Sequence, residues 1–103
     1  MRNSEMVIMP KTLRNLRALG ENIKLARLRR NFSQKLICER AGISRPTLIR
    51  VEQGSPDVCI GVYANVMLAI GNADDELANV LKEDRLGRTI MELGLKTPKR
   101  GAI

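Results

Sequence analysis

The sequence predicts an all-α protein, a compact five-helix bundle with a flexible N-terminal arm and a short C-terminal tail. Three observations predict it. From Leu13 onward apolar residues recur three and four apart, the spacing that builds one face of a helix. Residues 33–54, SQKLICERAGISRPTLIRVEQG, spell two short helices joined by a tight turn. Val58 to Gly71 is apolar nearly throughout, too short to cross a bilayer and too apolar for a free surface helix.

In chain order, residues 1–11 have no period and read as a loose basic arm. Thr12 is a plausible cap for a first helix whose apolar face is Leu16, Leu19, Ile23 and Ala26. That helix is either continuous or bent at Gly20, since an interior glycine costs about 1 kcal/mol relative to alanine. Asn31-Phe32 connects it to the helix pair, with Phe32 plugging the core beneath. Ser33 can accept a hydrogen bond from an orphan backbone N–H and start the second helix, and Gly42 ends it in the left-handed region. Ser44 is the next N-cap, and Pro46 lies in a first turn, where its missing N–H has no helical partner to lose. The third helix then runs from about Arg45 to Gln53 and Gly54 stops it.

Leu48 and Val51, three apart, join Ile37, Cys38, Ala41 and Ile43 in a small core. Ser55-Pro56-Asp57 is a turn. In the apolar helix that follows, Cys59 is a poor N-cap; Ile60, Tyr63, Val66, Met67 and Ile70 are expected to face inward, leaving Val62 and Leu68 for a second surface. Ala73 to Lys82 reads as a further helix with Leu77, Val80 and Leu81 as its apolar face and acidic residues favourably at its N-terminus. The domain thus spans 12–83, and a tail, 84–103, holds a short helix at Leu86 to Leu93. Met91, Leu93 and Leu95 extend the apolar surface, either as a frayed terminus or as a segment that orders on a partner.

Charge narrows the function. Residues 1–54 hold 12 Lys/Arg against 4 Asp/Glu, whereas residues 55–95 hold 3 against 7. The basic half is therefore the half with the paired helices, the distribution a phosphate backbone attracts, although a solvated basic face would look the same. Ser44, Arg45, Thr47 and Arg50 lie on the outer side of the third helix and are types that read base edges, arginine gripping guanine with two hydrogen bonds. One Phe, one Tyr and no Trp leave few stacking platforms for single-stranded RNA.

Residues 19–71 resemble the Xre/Cro-type, lambda-repressor-like helix-turn-helix family of phage repressors and bacterial regulators. The resemblance implies that Gln34 touches a DNA phosphate and that Arg27 and Glu52 form a structural ion pair. Lys35, Arg29 and Pro46 complete the expected phosphate-binding set. Within residues 43–71, the run of Arg50, Glu52, Gly54, Pro56, Val58, Ile60-Gly61, Tyr63, Val66 and Ala69-Ile70-Gly71 is similar to the HipB-type antitoxins partnered with HipA-like kinases. That narrower resemblance implies a homodimer which represses its own operon at an inverted-repeat operator and holds the toxin inactive, with room for a further operon-encoded protein. The alternative is a stand-alone or phage-type regulator with no toxin. Val62, Leu68, Met91, Leu93 and Leu95 are the expected dimer or partner surface.

No enzyme is expected: the chain has no histidine, no glycine-rich phosphate loop and no nucleophile motif. Cys38 and Cys59 are too few to ligate zinc and read as reduced core side chains, and no cofactor is expected. With neither a signal peptide nor an apolar run long enough to span a bilayer, a cytoplasmic protein is expected.

Overall fold

The computed structural model describes residues 7–94 and contains α1 (Pro10–Arg29), α2 (Gln34–Ala41), α3 (Arg45–Glu52), α4 (Ile60–Gly71), α5 (Asp75–Ala78) and α6 (Arg85–Glu92). No strand occurs among the described residues. The all-α expectation holds, with six helices in place of five. α1 packs on α3 and α2 packs on both α3 and α4.

α1 starts at Pro10, two residues before the expected cap at Thr12. Met9 holds an extended backbone (φ −61°, ψ 143°) and makes no side-chain cap, so the start depends on proline in the first helical position, where its fixed φ is already helical. The arm therefore ends at Met9. Nor does α1 bend at Gly20; it continues for 20 residues.

Gly20 is a contact rather than a hinge. A Cβ there would lie 2.5 Å from Gly54 N, 2.6 Å from Val51 O and 2.8 Å from Glu52 O, all backbone atoms that cannot swing away. Gly54 answers it with φ +72° and a hypothetical Cβ 2.5 Å from the carbonyl carbon of Leu16. The two glycines let the backbone of α1 and the end of α3 touch.

The core is aliphatic. Ile37, Leu48, Val51 and Val66 are wholly enclosed, joined by Ile23, Ala41, Tyr63, Met67 and Ile70. Each Ile, Leu, Val or Met side chain among them contributes about 1.5–3 kcal/mol through burial. Phe32 is half-buried against this cluster, and the Arg40 guanidinium sits 4.8 Å from its ring centroid while donating to Ala69 O at 3.3 Å. Cys38 packs at the edge of the core, but Cys59 is exposed, against the expectation that both are core residues.

Departures from expectation gather after Gly54. Cys59 does precede α4 and contributes no side-chain cap. Ile60 is 73% exposed, because Val58 rather than Ile60 packs against the core at this end. Val62 packs partly on the core and so is not on a free face, whereas Leu68 is 51% exposed. The helix expected over 73–82 shrinks to the single turn of α5: Leu77 rests against the core, but Val80 and Leu81 are exposed and Leu81 takes φ +63°. With nothing to bury them, those residues supply no packing energy to hold a longer helix. α6 is capped by Asp84, whose Oδ1 accepts from Gly87 N at 3.2 Å, and it buries no residue. Met91 on it and Leu93 just beyond it are exposed. Leu95 lies outside the described residues.

Candidate nucleic-acid interface

The helix pair is built by local chemistry. Leu36 N donates to Ser33 Oγ at 3.0 Å, fixing the start of α2. Gly42 closes α2 at φ 68°, and Ile43 N then donates back to Cys38 O at 3.0 Å, folding the chain under the pair. Ser44 Oγ accepts from Thr47 N at 3.4 Å and lies 3.0 Å from Thr47 Oγ1. The cap thus occupies the hydroxyls of two expected base readers, and Thr47 is half-buried.

Arg45 and Arg50 are exposed on α3. Arg45 Nε donates to Gln34 Oε1 at 2.8 Å, so the first residue of α3 is tied to the first residue of α2. This arrests a long side chain that would otherwise lose its rotamer freedom on binding. Lys35 and Pro46 are also exposed beside these residues in sequence. Arg29 is exposed too, but it lies nine residues beyond Gly20, about half a turn around the α1 axis from the face that meets α3. The outward stripe of α3 is completed by Ile49 and Gln53, which sequence reasoning passed over. Their spacing from Pro46 and Arg50, on the side opposite Leu48 and Val51, was the available signal.

Arg27 and Glu52 meet. Arg27 Nε donates to Glu52 Oε2 at 2.7 Å and Nη2 to Oε1 at 3.2 Å, with both side chains buried. The remaining nitrogen, Nη1, donates to Phe32 O at 3.0 Å. One guanidinium therefore locks α1, α3 and the connector before α2, a fork geometry that lysine cannot supply. Farther along, Tyr63 Oη donates to Ser55 O at 2.7 Å, pinning the loop that leaves α3 onto α4. Burial raises the Tyr63 phenol above its ordinary value of 10.0.

The arrangement is a short rigid helix, held on its inner side by a core and an ion pair, presenting cations outward. Residues 23–58, 36 of the 103, match the family model described as Helix-turn-helix. The match takes in α2, α3 and the last seven residues of α1, and it supports a DNA-binding regulator. No curated protein and no solved structure matches the chain. Among the described residues, no helix is long and apolar enough to cross a membrane, and no group of three or more His, Cys, Asp or Glu could hold a metal ion.

Proposed function

We propose that the protein is a sequence-specific transcriptional repressor that docks α3 in the major groove of double-stranded DNA. The observation that carries this reading is the presentation of Arg45 and Arg50 on the exposed side of a capped helix whose inner side is fixed by Leu48, Val51 and Glu52. A rigid helix pays little conformational entropy when it enters a groove, so its side chains can spend their interactions on base edges. Arg45 and Arg50 supply base contacts, while Gln34, Lys35 and Pro46 are assigned to the backbone, which positions the helix without reading sequence. A homodimer on an inverted repeat sets two copies of α3 about 34–36 Å apart.

The test begins with duplexes selected from a random library by binding to the wild-type chain. Arg50→Ala should lose about 1–3 kcal/mol on the selected duplex, a fall of roughly 5- to 150-fold, and almost nothing on a scrambled duplex. Equal losses on both would remove Arg50 from base reading.

The finer reading is that the repressor is also the antitoxin of a HipA-like kinase operon. It is supported by exposed apolar residues outside the helix pair, Leu68, Leu86, Met91 and Leu93, which a protein partner would cover. Co-expression with the product of an adjacent kinase-like reading frame should give a complex that survives gel filtration and restores growth. A repressor fully active at its operator with no such neighbour is instead the stand-alone regulator.

A further inference from the structure

A cleft of about 360 Å³ lies between α1 and α3, lined by Arg17, Glu21 and Lys24 of α1, by Gln34 at the start of α2, and by Ile49 and Gln53 on the outer side of α3. Glu52 also lines it, but that carboxylate is already balanced by Arg27. We infer that this cleft seats a backbone phosphate of the bound duplex, adding Arg17, Lys24 and Gln53 to the contacts with DNA. The inference rests on the DNA-binding reading above and extends it to residues outside the helix pair.

A helix with its side chains is about 10–12 Å across and the major groove is about 12 Å wide, so an α3 that fills the groove has a phosphate strand against each flank. The cleft is the flank of α3 that faces α1. Arg17 and Lys24 are seven residues apart, about two turns, and so rise from the same side of α1. Gln34 uses its Oε1 to accept from Arg45, which leaves the two Nε2 hydrogens to donate to an anion. Gln53 contributes a further amide, and Glu21 opposes with one negative charge. Arg17 and Glu21 lie outside the stretch that matches the helix-turn-helix family, whereas Lys24, Gln34, Ile49 and Gln53 lie within it.

Binding of the full chain to a selected and a scrambled duplex, measured across 50–200 mM salt, tests the inference. Neutralising both cations, Arg17→Gln with Lys24→Gln, should weaken binding to the two duplexes by the same factor. It should also lower the slope of log K against log salt by about 0.9, the value of one lost phosphate contact, which is roughly 3.5-fold over that salt range. Glu21→Gln should tighten binding to both. Replacing single phosphates by methylphosphonates should reveal a position that costs the wild type affinity and costs the double variant none. An unchanged slope, a loss with Glu21→Gln, or the same methylphosphonate profile in both proteins overturns the seat. If the wild type binds neither duplex, the DNA-binding reading itself falls; if Arg50→Ala loses its preference while the double variant keeps its slope, only the seat does.

Discussion

The two ends of this molecule are built by different rules. From α1 to α4 every helix buries residues against another, and the helix pair is punctuated by serine caps and a left-handed glycine. From Gly71 onward neither α5 nor α6 buries a residue, and Val80, Leu81, Leu86, Met91 and Leu93 face outward. The acidic excess falls in this second region and the basic excess in the first. Helices held by packing thus give way to a single turn resting on Leu77 and a last helix held by its Asp84 cap alone. The same boundary separates the part that presents a fixed face from the part left with apolar surface to share.

The largest expected effect strikes the joint of the packed region. Arg27→Ala leaves Glu52 buried and unpaired and the Phe32 carbonyl without its donor, at a cost of about 3–5 kcal/mol by urea denaturation. A loss under about 1 kcal/mol would show that water screens the pair. Leu48→Ala against Leu86→Ala sets the two regions side by side. The first, wholly enclosed, should cost about 2–5 kcal/mol and the second less than about 0.5 kcal/mol, in the monomer at low concentration. Comparable losses at the two positions would erase the distinction.

Gly20→Ala should cost about 1–3 kcal/mol in the same assay, because its methyl group meets three backbone atoms of α3 and the turn after it. A helix that merely tolerated glycine would gain stability from the same change. The smallest effect is at Tyr63. Its phenol pKa is raised by folding, so stability is at its full value below pH 10 and falls as pH rises through the higher folded value. Tyr63→Phe should cost about 1 kcal/mol near neutrality, through the lost bond to Ser55 O, and should flatten that alkaline decline in a pH series of melting curves.

What could be read from sequence follows the same division. The starts of α2 and α3 and the turn at Gly42 were legible because a serine and the N–H it caps are three residues apart, and a glycine at the end of a helix acts where it stands. The burial of Ile37, Leu48 and Val51 followed from period alone. Gly20 was not legible, since its partner is 34 residues away and no spacing links them. Ile60, Val62 and the extent of α5 were misread for a related cause. Apolar periodicity states what a helix could bury, while the rest of the fold determines what is there to bury it against. On the candidate interface the arginines of α3 stood out by type. The tie from Gln34 to Arg45, and the placing of Arg17 and Lys24 beside Ile49, depend on how α1 and α2 approach α3.

The meeting of Gly20 and Gly54 also makes α1 a lever. The fulcrum stands near the middle of the helix, so Pro10 projects about 15 Å beyond it on one side, while Arg27 is clamped to Glu52 on the other. A tilt of about 10° at the fulcrum sweeps Pro10 through roughly 3 Å, half the rise of a helical turn, and Arg27, about 10 Å away on the other arm, through roughly 2 Å. Whatever grips the longer free arm therefore acquires mechanical advantage over the clamp that joins α1 to α3, and the absence of a methyl group at position 20 sets where that advantage begins.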